Sequence, residues 1–122
     1  MADYLPRFKP GAAVTFTTTA DVTGGRLVES GTTTRSATPA TADSAKVLGV
    51  AATDTTSGNS VGVYLRPTGV HQLVASGAIA IGAKVVAATG GKVQTIASNS
   101  NPIGIALEAA ATDLDVIDVL FI

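Results

Sequence analysis

The chain of 122 residues contains no cysteine, no tryptophan and only one histidine. Without cysteine it can form neither a disulfide nor a thiolate metal site, and a lone histidine excludes any centre that needs two. Aromatic residues make up 4% of the chain, too few to build stacking platforms for single-stranded nucleic acid or sugars. Positive charge is scarce as well: eight Lys and Arg against nine Asp and Glu leave a formal net charge of -1. Neutralising phosphates needs clustered cations. The only close basic pair is Arg7 and Lys9, so no nucleic-acid partner is expected. Long apolar runs are missing too. The least charged stretch, 67–91, carries only Lys84 as a formal charge but is broken by His71, Gln72, Ser76, Gly77 and Gly82. It fails as a span of about 20 apolar residues, and no membrane partner is expected. Met1 to Arg7 has no apolar signal core, so synthesis and retention in the cytoplasm are expected.

What the chain does have is small apolar residues. Hydrophobic side chains account for 46% of it, mostly Ala and Val, and each buries little area at about 25 cal/mol per Å². The length suits one domain with one core. Closely packed backbones and a contact between subunits are expected to make up for the small side chains.

Two phrases set the internal organisation. Val47-Leu48-Gly49-Val50-Ala51 is echoed by Pro102-Ile103-Gly104-Ile105-Ala106, with Gly25-Arg26-Leu27 upstream of the first and Gly82-Ala83-Lys84 upstream of the second. Val61 to Leu65 corresponds to Val116 to Leu120 at the offset that relates Gly49 to Gly104. The spacing predicts a duplicated β unit. Glycine within a strand marks a bulge or a close backbone approach, so Gly49 and Gly104 are expected at matching crossing points.

Residues 1–11 hold Pro6, Pro10 and Gly11 among Tyr4, Leu5 and Phe8, which reads as an extended arm rather than a helix. Residues 12–122 read as a single β domain of about ten short strands separated by turn signals, a sandwich or a barrel. Thr, Ser, Ala and Pro39 dominate 31–44, which has no apolar period and is expected as a surface loop. Gly90-Gly91 can supply positive φ at both centres of a two-residue type I′ hairpin. The strands within 67–91 are expected to be buried on both faces.

Catalytic and cofactor signals are lacking. Ser76 near His71 has no nucleophile-elbow spacing and no oxyanion motif, so no catalytic residue is assigned and His71 reads as a polar strand residue. Asp113, Asp115 and Asp118 lack the glycine and spacing of a calcium loop and read as solvated edge charges. Gly24-Gly25 and Gly90-Gly91 precede no Lys-Ser/Thr and are turns, not phosphate loops. No cofactor and no metal site are expected, and the chain is not expected to be an enzyme.

The order of short phrases carries a resemblance. Phe8-Lys9-Pro10-Gly11, Thr23-Gly24-Gly25-Arg26-Leu27-Val28, Leu48-Gly49-Val50-Ala51, Gly69-Val70-His71, Ile81-Gly82-Ala83-Lys84-Val85 and Ile103-Gly104-Ile105-Ala106-Leu107-Glu108-Ala109 follow one another in sequence. From about Phe8 to the C-terminus this series resembles the capsid decoration, or cement, proteins of tailed bacteriophages, of the DUF2190 type. The resemblance implies a compact all-β fold, a sandwich or barrel of β-tulip-like form, built from a duplicated unit behind an extended N-terminal arm. It also implies a virion protein on the outer surface of the expanded capsid, a homotrimer that bridges subunits of its partner, the major capsid protein.

On this reading Tyr4, Leu5 and Phe8 anchor on the capsid, and Arg7 and Lys9 select the site by charge. Val70, Leu73 and Val86 are expected at the oligomer interface, together with the terminal strand. The alternatives are another virion β module, a head fibre base or a tail component, and a module that binds glycans or a host surface.

Overall fold

The computed structural model describes residues 12–67, 69–98 and 100–122. The arm and its expected capsid contacts lie outside these residues. Ten strands form among the described residues: β1 (Ala13–Thr18), β2 (Leu27–Ser30), β3 (Ser36–Pro39), β4 (Val47–Ala51), β5 (Ser60–Leu65), β6 (Val70–Val74), β7 (Lys84–Ala88), β8 (Lys92–Thr95), β9 (Gly104–Ala106) and β10 (Val116–Phe121). The fold is all-β, as the residues and the resemblance both imply. Alternation drives the clearest strands: in β1, Val14, Phe16 and Thr18 are buried while Ala13, Thr15 and Thr17 face water, the period of two that a pleated strand imposes. Thr18 is accommodated inside because its hydroxyl donates to the carbonyls of Thr56 and Asn59, at 3.0 and 2.9 Å.

The duplication is visible bond by bond. The first unit is a closed barrel in the order β1-β3-β2-β4-β5, and the second is a sheet in the order β6-β10-β9-β7-β8. A single parallel bridge, Ala75 to Val93, brings β6 beside β8, which gives the second unit the same cyclic order. Antiparallel bridges Val22 to Thr55 and Ile79 to Ala110 sit at corresponding places. The Gly25 N–H donates to Ala51 O just as the Gly82 N–H donates to Ala106 O, each at 2.8 Å.

Gly49 and Gly104 occupy matching points where backbones meet. A Cβ on Gly49 would overlap the Tyr64 carbonyl, and one on Gly104 would meet Val119 and the Leu120 carbonyl. These are the close approaches that glycine in a strand signals.

Several expectations need correction. Gly49 pairs with Leu65 and Gly104 with Phe121, so Val61 to Leu65 corresponds to Ile117 to Phe121, one residue on from the match the sequence offset suggests, and a one-residue shift exchanges the faces of a strand. The stretch 31–44 is not all loop, because it contains β3, which pairs in parallel with β1 and antiparallel with β2. Its residues are small because the interior of a narrow barrel has room for little more than Ala37. The Ser36 hydroxyl turns back to the Thr33 carbonyl at 2.8 Å. Backbone pairing on both edges holds the strand, and that leaves no hydropathy pattern to read. The glycine pair does take positive φ, 75° and 77°, but Ala88 pairs with Lys92, so Thr89–Gly91 forms a three-residue 3-10 turn rather than a two-residue one. Within 67–91, β7 is buried on both faces from Val85 to Ala88, whereas β6 exposes one face.

Two cores result. Val14, Phe16, Val22, Val28, Ala37, Ala51, Val61 and Val63 fill the first barrel. The larger core fills the second unit with Leu73, Val85, Val93, Ile117, Val119 and Phe121, and it also takes in Leu27, Ala40, Val47 and Val50 from the outside of the first. The joint between the units is therefore one apolar mass. Polar contacts close its rim: Gly91 N–H donates to Ala40 O at 3.1 Å, Asp43 N–H to Ala87 O at 2.8 Å, and Asn101 N–H to Asp43 Oδ1 at 2.8 Å.

Candidate functional site

The polar groups of the described residues hold loops together. A groove of about 280 Å³ is lined by Asp21, Val22, Thr23, Asp54, Thr55 and Thr56. Its two carboxylates are both engaged, Asp21 Oδ1 accepting the Ser57 N–H and Asp54 Oδ1 the Gly24 N–H, each at 2.8 Å. At the other end of the chain Asp113 Oδ1 accepts the Gly77 N–H at 2.9 Å, and Asp115 accepts from the Ala111 and Thr112 N–H groups at 3.0 and 3.1 Å. Hydrogen bonds from the Thr112 backbone and hydroxyl hold the Asp115 carboxyl below its ordinary range. Asp118 points its N–H at Glu108 Oε1, 2.9 Å away. These acids staple loops rather than converge on an ion, and among the described residues no group of three or more His, Cys, Asp or Glu could hold a metal.

His71 lies at the joint. Its ring is 4.8 Å from Phe121 and 6.2 Å from Tyr64, and burial lowers its pKa from the usual 6.5, favouring the neutral form. It serves as a half-buried filler between two aromatic rings.

What the fold presents outward is an apolar face on the second unit. β10 pairs with β6 and β9 so that Val70, Leu120 and Ile105 stand in one row across three strands. Val74 and Val116 form a parallel row beyond Gln72 and Asp118. Val70 is 51% exposed, Val116 56% and Leu120 38%. In the first unit the row matching Val74 and Val116 is Thr17 and Ser60, so this second row is apolar in one copy only.

Of the three residues named for an oligomer interface, the structure brings only Val70 to this face, together with Val116 and Leu120 of the terminal strand that was expected beside them. Leu73 and Val86 are 0% and 1% exposed. Leu73 lies in the larger core. Val86 alternates with the core residues Val85 and Ala87 and is covered within the chain. Leu73 is interior because the second unit must enclose its own core, and Val86 is buried because β7 is covered on its other face as well. Ile105 was not expected there, and the terminal strand was expected as a whole, without Val116 and Leu120 being singled out. Their signal is there in Val116-Ile117-Asp118-Val119-Leu120-Phe121, which is apolar on both faces where a strand with one solvated face would alternate.

No helix among the described residues is long and apolar enough to cross a membrane. A duplicated β unit, once a closed barrel and once a five-stranded sheet, with an apolar outer face and loop-stapling acids has the make-up of a structural module. The family model of the phage cement proteins matches residues 8–121, and the chain belongs to that family. It is thus a bacteriophage structural protein associated with the capsid. Among solved structures it is similar to the head fibre gp8.5 N base of bacteriophage phi29, at 19% identity and a TM-score of 0.75, over 91% of this chain and 93% of that one. That likeness concerns the fold. No curated protein sequence matches the chain.

Proposed function

We propose that the protein binds the outer surface of the expanded phage head and bridges neighbouring subunits of the major capsid protein, stabilising the lattice. The observation that carries this is the cement-family match, which covers nearly the whole chain and begins at Phe8, within the arm. A ligand that binds only the expanded lattice stabilises that state by mass action. Three copies joined as a homotrimer need only weak contacts each, since the second and third engage at high effective concentration.

In this reading the arm makes the capsid contact. Tyr4, Leu5 and Phe8 supply apolar anchors, Arg7 and Lys9 select an acidic site, and the arm backbone adds a strand to a capsid sheet edge. The role is structural, and no turnover is expected to depend on His71.

The test is co-sedimentation of the purified chain with expanded, undecorated heads. Saturable binding at a fixed number of copies per capsid protein is expected, and absence of binding overturns the reading. Deleting residues 2–9 is expected to leave the β module folded, by circular dichroism, and to abolish head binding; unchanged binding would show that the arm is not the contact. A second reading, the base of a head fibre, is favoured by the fold likeness to the phi29 protein. Electron microscopy of decorated heads separates the two: a fibre base carries a projecting fibre and a cement protein does not.

A further inference from the structure

Each unit carries the same two surfaces, and among the described residues only one of each is used. The first surface is the outer row of the sheet. In the first unit it consists of Leu27, Val50 and Tyr64, cross-strand neighbours on β2, β4 and β5. In the second unit the corresponding row is Lys84, Ile105 and Leu120. The second surface is the end of the barrel: Ile103 and Phe121 in the second unit, Leu48 and Leu65 in the first, matched by the pairs Gly104 to Phe121 and Gly49 to Leu65.

The joint inside the chain lays the outer row of unit one across the end of unit two. Leu27 and Val50 share a core with Ile103 and Phe121, and Tyr64 meets His71 at the rim. The duplicates of both partners are left over. Ile105 and Leu120 remain exposed or half-buried on unit two, and Leu48 and Leu65 are half-buried on unit one while their counterparts Ile103 and Phe121 are fully enclosed.

We infer that a second copy of the chain docks here: the outer face of the second unit caps the end of the first unit in a neighbouring molecule, repeating between chains the joint made within each chain. This rests on the self-association in the proposed function and not on head binding. The contact is head-to-tail, so it uses two different patches and closes into a ring only when the rotation per copy allows. A ring of three meets the homotrimer. Lys84 stands where the inner joint has Leu27; its stem can cover apolar surface while its ammonium stays in water at the rim. The polar pair Gln72 and Asp118 behind the row limits the apolar area that a lone chain shows to water.

Because the chain has no cysteine, a designed pair reports the contact directly. Leu65→Cys with Leu120→Cys in the full chain, under mild oxidation, is expected to give covalently linked dimers and trimers that reductant dissolves. Leu65→Cys with Ile81→Cys, a residue exposed elsewhere on the second unit, is expected to give none. Linkage by Leu120→Cys alone as strong as by the pair would overturn the inference, since it means a face-to-face contact, and so would no linkage above the Ile81 control.

Leu120→Lys supplies a second reading of the same contact. Its dissociation constant for self-association is expected to rise about tenfold or more, with an unchanged unfolding midpoint because Leu120 faces outward. A variant that keeps the wild-type mass in light scattering, or a wild-type chain that is monomeric at every concentration, overturns the inference. Binding to heads is read in a separate experiment, so failure here leaves the capsid reading to its own test.

Discussion

Glu29 shows how much one residue can hide from sequence reading. It is a carboxylate in a strand, 5% exposed, on a face that otherwise packs apolar groups. Its Oε1 accepts from the Thr41 N–H at 2.8 Å and the Thr41 hydroxyl at 2.9 Å, with Lys46 Nζ 3.7 Å from Oε2. Burial pushes its pKa up, but hydrogen bonds from Thr41 and Ser44, with Lys46 adding charge, outweigh it and hold the group below 4.5. Lys46 itself is largely exposed, so the ion pair is the minor part. A lowered carboxylate contributes stability above its unfolded pKa and loses it as pH falls through the folded value. Glu29→Gln is therefore expected to destabilise the protein by about 1–3 kcal/mol at pH 7, with the difference from wild type shrinking below pH 4.5. Urea unfolding at neutral and acid pH measures this, and a constant difference would mean that the charge is not what stabilises.

At the scale of elements, the turn Thr89–Gly91 does more than join β7 to β8. Gly91 has φ of 77°, and a Cβ there would run into the Leu27 carbonyl oxygen of the first unit. The turn is thus wedged into the joint. Gly91→Ala is expected to lose about 1–3 kcal/mol from the left-handed backbone alone, and more from the clash, whereas Gly58→Ala, with open space around its Cβ, bears only the backbone strain. Comparing their thermal midpoints checks the wedge: equal losses would remove it. Turns of this kind were legible as turns, because paired glycines announce positive φ. Their packing role was not, since it depends on which carbonyl happens to face them. β3 was invisible for the related reason that backbone pairing, and not side-chain pattern, holds it.

For the whole molecule, the joint decides which positions are surface. A charge at Val86 looks from the sequence like a way to split an oligomer. In the folded chain the same change places an unpaired carboxylate where exposure is 1%. Val86→Asp is expected to lower folding stability by at least about 3 kcal/mol, while Val70→Asp, on the exposed row, leaves the unfolding midpoint nearly unchanged and acts on self-association. Equal midpoints for the two variants would overturn this assignment. The arm stands apart: its proposed anchors Tyr4, Leu5 and Phe8 were legible as apolar groups in search of a partner, and their role is tested on heads rather than on the fold.

Composition and spacing by themselves determined the class of molecule: all-β, duplicated, poor in chemistry, with glycines at the two backbone crossings. Periodicity and glycine placement are local properties, and they survive in a single line of residues. Only the tertiary structure decided how the two copies differ. Leu27 and Val50 became interior because the second unit lies over them, while Ile105 and Leu120, at the corresponding places, were left facing out. Lys84 in the open row where the covered row has Leu27 is too small a difference to tell the two apart, because coverage depends on where the other unit lies and that is set by contacts between residues distant in sequence.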